Sequence, residues 1–541
     1  MFVSLKKRAL LLVVIVISLI LLNSGFMMAQ VPEPAYSYKM TFNTDGLTTV
    51  DVLYNSALPG SGSSWIAIPR NLTQTTVAAL KGTITSMARQ PYRIDGDQTA
   101  HPFYDNLTFS YNSYDTPFSM QILFNMTNGA MIVEPNGFFY SPQIGVPTTT
   151  KVEARLILPD GVEALNQAQP RPTRVQRTGS HLELLFNPDS ESRIAVTFTV
   201  SWPRRTEHIQ EGIVGADVPT RYSDLGRRMV ALYREAVPLM NDLFNETVDR
   251  VSMNFFTPLS LPQLSIGGYT PIDPTTFQTG SISLNLFYFR ALSGTMETIA
   301  IHELTHQYEA RAGISPDLLW VQEGLANYVA VQMGGPLGYE TTSTDADLET
   351  VANELRGNFG MIQYWQSGTT ATSLYLYYAA SYEVLKTLGD QYGGLSMYKR
   401  FFRGLHELKD GLRSTSVAVL QLGRAAKTDL FPQFKEWGFE LVDMWNIGAR
   451  IAKLRTEARW YGPLLPFREQ ALNHLEQAES SMERAPEVAM GHVSIAAFYI
   501  ETIPMIIGGF LLVLIIAAGI ALLIRRRTRK KSTAFGYQGV Y

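Results

Sequence analysis

No cysteine occurs among the 541 residues. Disulfide staples, thiolate nucleophiles and cysteine-ligated metals are thereby excluded, so any metal site must draw on His, Asp or Glu. The compartment stays open, because a protein outside a prokaryotic cell can do without disulfides. Charge is scarce as well: 17% of residues are charged and the formal net charge is −3. Such a balance gives no general attraction to nucleic acid, and no nucleic-acid recognition motif occurs. A Gly-x-Ser-x-Gly elbow is missing, so serine-triad chemistry has no support. Internal repeats and low-complexity tracts are also missing. Apolar residues are plentiful at 46%, which suits a globular protein carrying a membrane segment. The length calls for two or three domains.

Both ends read as membrane-related. Lys6, Lys7 and Arg8 precede an apolar run over 9–22, followed by Asn23-Ser24-Gly25 and Ala29-Gln30. This is the layout of a secretory signal. Met27, third before a cut after Ala29, makes the cleavage region untidy, so residues 1–30 are a signal peptide or an uncleaved N-terminal anchor. Residues 503–524 contain no charge and are long enough to cross ~30 Å of hydrocarbon as a transmembrane helix. Arg525, Arg526, Arg527, Arg529, Lys530 and Lys531 follow at once. The positive-inside rule makes 525–541 a basic cytoplasmic tail and leaves the preceding chain outside. The expected location is the cell membrane, single-pass with lipid contact through the C-terminal helix, or two-pass if the first segment stays. Sequons at Asn71, Asn106, Asn125 and Asn245 agree with that topology.

Between the ends the pattern changes once. Residues 37–42, 48–54 and 193–202 alternate apolar and polar, the period of half-buried strands. Turn pairs begin at Pro59, Asn128, Asn136 and Asp160. Residues 31–205 therefore read as an antiparallel β-sandwich, in which His101 and His181 stand alone as surface residues. After Pro203-Arg204-Arg205 the spacing predicts a helix over 222–243, strands over 251–256 and 281–289, and helices over 296–312, 318–333, 375–388 and 467–484. Gly334-Gly335-Pro336 reads as the stop of the second of these. Residues 206–450 make an α+β domain, and 451–502 a helical stalk. The fold class is multidomain.

Residues 300–309 read A-I-H-E-L-T-H-Q-Y-E. Residues four apart share a helix face, so His302 and His306 can point at one ion. Chance produces H-E-x-x-H in roughly one chain in a hundred of this length, and His406-Glu407-Leu408-Lys409-Asp410 starts the same way without completing the motif. The motif alone leaves a plain histidine pair as the alternative. The next helix adds Glu323 within Trp320-Val321-Gln322-Glu323-Gly324-Leu325-Ala326-Asn327-Tyr328. A turn over 313–316 would bring Glu323 to face the histidines, completing a His2Glu set with one open position. Asn327, one turn after Glu323, either orients a ligand or is a surface amide.

His302-Glu303-Leu304-Thr305-His306 together with Glu323-Gly324-Leu325-Ala326 resembles the gluzincin metallopeptidases, in particular the peptidase-MA-like and aminopeptidase-N-like branches, over residues 251–405. The resemblance implies a thermolysin-like fold in which residues 281–289 form the edge strand that aligns substrate. It implies one Zn2+ per chain, held by His302, His306 and Glu323, with Glu303 as general base. A tyrosine on a later helix stabilises the oxyanion in this family. Tyr377-Tyr378-Ala379-Ala380-Ser381-Tyr382 matches that segment, with Tyr378 in the role and Tyr382 in reserve. Two departures stand out. Sixteen residues, 307 to 322, separate His306 from Glu323, fewer than is usual in the aminopeptidase-N-like branch. No G-x-M-E-N motif occurs, and Ser265-Ile266-Gly267-Gly268-Tyr269-Thr270, the nearest segment, has no carboxylate to hold a free amine. The expectation is a membrane-anchored zinc peptidase acting on peptides or proteins at the outer face, endopeptidase or of uncharacterised specificity. The alternative is a non-catalytic binding or structural ectodomain with a retained peptidase fold.

Overall fold

The computed structural model describes residues 35–534 apart from 71, 73, 94–100, 102, 370, 409, 463–465 and 483. Residues 1–30, read above as signal or anchor, lie outside the described residues.

Sheets fill the N-terminal half. A seven-stranded sheet runs in the order Arg174–Thr178, His181–Phe186, Lys151–Leu158, Ala35–Phe42, Thr48–Asn55, Ser119–Met126, Thr75–Lys81. In Ala35–Phe42 alternation does its usual work: Tyr36, Tyr38, Met40 and Phe42 point inward and are buried. The four-stranded sheet Val162–Gln169, Ala195–Val200, Asn136–Tyr140, Ala130–Val133 shares that core. Phe42 of the first sheet packs on Phe139 and Phe198 of the second, ring centroids 5.8 and 5.4 Å apart. A third sheet, Gly60–Pro69, Tyr104–Ser113, Thr83–Pro91, completes this half. The expected all-antiparallel pattern needs one correction: Ala35–Phe42 pairs in parallel with Lys151–Leu158. Its other edge is already taken by its hairpin partner Thr48–Asn55, so the later strand enters by a crossover.

The chain then builds a five-stranded mixed sheet, Thr206–Glu211, Val214–Pro219, Val251–Phe256, Ile282–Asn285, Gly268–Tyr269. Helix α1 (Ser223–Phe244) carries the parallel crossover between the second and third of these strands. The expected strand over 281–289 is only Ile282–Asn285, and it is not the edge. The side chain of Asn285 accepts the Phe287 N–H at 3.0 Å and turns the chain into the 3-10 segment Leu286–Arg290. Gly268–Tyr269 pairs antiparallel outside it and forms the edge instead.

Helices make the C-terminal half. They are α2 (Thr295–Arg311), α3 (Leu319–Leu337), α4 (Thr342–Ala352), α5 (Ala371–Tyr392), α6 (Leu395–Leu405), α7 (Thr415–Ala426) and α8 (Phe431–Glu436). Helix α3 runs through Gly334-Gly335-Pro336, where a stop was expected, and ends at Gly338 in the left-handed conformation. Pro336 lies in the last turn, where a missing N–H costs a single bond and Gly338 N–H still finds a helix carbonyl. A fully buried Trp320 anchors α3 against Phe434 and Phe439.

Three further helices, α9 (Met444–Tyr461), α10 (Arg468–Ser481) and α11 (Pro486–Ala497), share a separate small core of Ile447, Ile451, Leu454, Leu475 and Val493 among others. Helix α11 passes through the π-turn Phe498–Thr502 into α12 (Ile503–Ala534). The continuous stretch Pro486–Arg527 is long and apolar enough to cross a membrane, and its most apolar window is wholly exposed.

Close packing of α3 on α5 depends on Gly324. A Cβ there would lie 2.7 Å from the Ser381 carbonyl oxygen and 2.8 Å from Leu385 Cδ1. Gly324→Ala is expected to destabilise the chain by about 1–3 kcal/mol, read as a lowered thermal unfolding midpoint.

Candidate metal centre

The site begins as one turn of α2. His302 and His306 present their rings from successive turns, and Glu323 of α3 faces them. His302 Nε2 lies 3.1 Å from His306 Nε2 and 3.1 Å from Glu323 Oε2, and the third side, His306 Nε2 to Glu323 Oε2, is 3.6 Å. Among the described residues these three form a group whose ligand atoms lie within 4.8 Å of one another. A tetrahedral zinc ion bound at about 2.1 Å holds its ligands roughly 3.4 Å apart. The observed triangle is the face such an ion needs.

Each imidazole is oriented from behind. Asn327, one turn after Glu323, offers its Oδ1 to His302 Nδ1 at 2.9 Å. Glu309 Oε2 accepts from His306 Nδ1 at 2.8 Å. A carbonyl or carboxylate oxygen accepts, so both rings hold a proton on Nδ1 and turn Nε2 into the triangle. Asn327 therefore contacts His302. Glu309 escaped the sequence reading, although its position three residues after His306 on one helix face was a usable signal.

The charges fit a cation. Glu303, Glu309 and Glu323 all converge on the two imidazoles, with Glu309 fully buried. Burial opposes ionisation of Glu323, yet His306 and His302 outweigh it and hold this carboxyl well below the usual range. Burial pushes Glu309 up to about 7 against the pull of His306. Burial likewise lowers His306, but Glu323 and Glu309 overcome it and raise the ring well above its ordinary value. Glu309 Oε1 and Asn327 Nδ2 are buried without a partner. Two imidazole nitrogens 3.1 Å apart cannot both carry protons without repulsion. A divalent cation in the triangle would replace those protons and balance the buried carboxylates.

Glu303 sits beside the triangle without belonging to it. Thr270 donates its hydroxyl at 2.9 Å to Glu303 Oε2, and the Glu303 carbonyl oxygen lies at the same distance. Thr270 follows the edge strand Gly268–Tyr269, and no local pattern marked it. Gly268 leaves the room this arrangement needs, since a Cβ there would fall 2.8 Å from Glu303 Cγ. Burial raises the Glu303 carboxyl above its ordinary value, with the histidines opposing.

The two tyrosines separate cleanly. The Tyr378 ring lies 6.4 Å from that of His302, and its phenol is pushed well up by the charge of Glu323, then by burial. It stays neutral and keeps a proton to donate. Tyr382 instead donates to Asp345 at 2.6 Å. Close approach of α5 at Gly324 is what brings Tyr378 to the site. His406, of the incomplete second motif, caps α6 and lies 3.4 Å from Glu246.

No protein-family model matches the chain, and no curated protein does. Among solved structures it is similar to the crystal structure of an aminopeptidase N family protein from Idiomarina loihiensis, at 14% identity over 74% of this chain and 75% of that one, with a TM-score of 0.31. A likeness that slight fixes no chemistry, and function rests on the side chains above.

Glu309→Gln and Asn327→Ala are each expected to weaken zinc binding by about 10–100-fold while the fold persists. Competition with a chelator of known affinity measures this, and unchanged affinity in both variants would remove their orienting role.

Proposed function

We propose that this chain is a membrane-anchored zinc peptidase that hydrolyses peptide bonds outside the cell. The observation that carries the reading is the His302–His306–Glu323 triangle with Glu303 held beside it by Thr270. His302, His306 and Glu323 would hold the ion, leaving one position open. A bound zinc ion supplies Lewis acidity, polarising a carbonyl and acidifying water. Glu303 takes the proton of the attacking water on its carboxylate and later delivers it to the leaving amine. Burial raises its proton affinity, which suits both halves of that task. Tyr378 donates its phenolic proton to the developing oxyanion, a bond worth about 3 kcal/mol in comparable sites. Asn327 and Glu309 keep both imidazoles in the binding tautomer.

The segment 265–270 lacks a carboxylate, and it meets Glu303 at Gly268 and through the Thr270 hydroxyl. Nothing in that segment neutralises a substrate's free amine. Internal peptide bonds are therefore the favoured substrates. The apolar stretch of Pro486–Arg527 supports an anchor in lipid.

The test is zinc content per full-length chain in detergent, together with hydrolysis of N-terminally blocked peptides. Glu303→Gln should retain the metal and lose about 10²–10⁴-fold in kcat/KM. Undiminished hydrolysis in that variant would sink the mechanism. A folded chain that refuses zinc would overturn the whole reading. Zinc without turnover of any peptide pool would favour the structural ectodomain.

A further inference from the structure

A second polar cluster lies where the N-terminal sheets meet the 3-10 segment Leu286–Arg290. Tyr104 opens the strand Tyr104–Ser113, Tyr140 closes Asn136–Tyr140, and Arg193 stands two residues before Ala195–Val200. The Arg193 guanidinium carbon lies 5.1 Å from the Tyr104 ring and 5.3 Å from the Tyr140 ring. Arg290 reaches Tyr140 from the other side, 5.7 Å from its centroid and 5.7 Å from that of Phe287. One tyrosine ring thus serves two guanidiniums.

Neither arginine has a carboxylate within ion-pair distance among the described residues. Arg193 donates to Tyr104 Oη at 3.2 Å and to Gln143 Oε1 at 3.3 Å. Arg290 makes no hydrogen bond among the described residues, and its Nη1 is shut away from solvent without a partner. Burial, and then the charge of Arg193, pull the Arg290 guanidinium down to about 10. It therefore keeps its charge at neutral pH. Tyr104 Oη accepts from Arg193 and also from the Gln143 N–H at 3.0 Å. With both acceptor positions in use, its own O–H has no acceptor among the described residues. Tyr104 is buried.

Two positive charges, an orphaned guanidinium nitrogen and an unused hydroxyl proton converge without any negative group. Leaving such donors and charges unpaired is costly. We propose that Arg290, Arg193 and Tyr104 bind a small inorganic anion, chloride in the first instance, at the junction of the N-terminal sheets and the segment leading into α2. Tyr104 and Arg290 Nη1 are buried, which favours a small inorganic ion over a substrate carboxylate as the occupant. Residues 291–294 alone separate Arg290 from α2, so the anion fastens the approach to the metal helix onto the N-terminal half.

Crystals of the full chain grown in detergent with bromide replacing chloride locate the ion directly, apart from any halide on a metal. An anomalous peak within about 3.5 Å of Arg290 Nη1 and Tyr104 Oη is expected. Its absence overturns the proposal. In solution the unfolding midpoint should rise saturably with chloride over gluconate at equal ionic strength. In Arg290→Gln the apparent chloride affinity should fall at least about tenfold. Should that variant not fold, equal midpoints for the wild-type chain in chloride and gluconate still refute the site.

Discussion

Everything at the candidate centre depends on keeping five ionisable side chains together in a buried place. Two imidazoles and a carboxylate sit within 3.6 Å of one another, with two more glutamates against them. Such crowding is tolerable only if protons or a cation balance the carboxylates, and only if the backbone prevents the groups from drifting apart. Helix α2 supplies the first condition by placing two imidazoles on one face. Packing of α3 and α5 supplies the second. The glycine after Glu323 does more than follow it, because its missing side chain sets how closely α5 and its tyrosine approach.

The remaining half of the chemistry comes from the sheet. Glu303 is aimed by a threonine that follows a two-residue edge strand, and that strand can pass so near because Gly268 has no side chain. Glu303 and the triangle therefore depend on different parts of the fold. A disturbance of the sheet edge would misdirect Glu303 and leave the His302–His306–Glu323 triangle intact. A disturbance of α3 would do the reverse.

Helical spacing made His302, Glu303, His306, Glu323 and Asn327 legible, because residues four apart on a helix must share a face whatever surrounds them. Tyr378 and Tyr382 were indistinguishable in sequence, since both lie on that kind of face. Only the crossing of α5 over α3 separates them. Thr270 was invisible, for its neighbour is thirty-three residues away across a sheet edge. The strand expected over 281–289 failed at one residue: the Asn285 side chain captures a backbone N–H and turns an apolar run into a 3-10 segment. Alternation revealed the strands of the N-terminal half but could not reveal the parallel crossover between Ala35–Phe42 and Lys151–Leu158. Arg193 and Arg290, ninety-seven positions apart, carried no signal at all.

The helix from Pro486 to Arg527 is unbroken, and its first turn is tied through Ser414 and Glu487 to the helical half that holds the triangle. Were residues 503–524 in a bilayer, the seventeen residues 486–502 would raise that junction by about 25 Å. The helix then acts as a ruler. On the proposed reading, stand-off height set by the length of one helix would decide which bonds come within reach, before any side chain at the site makes contact.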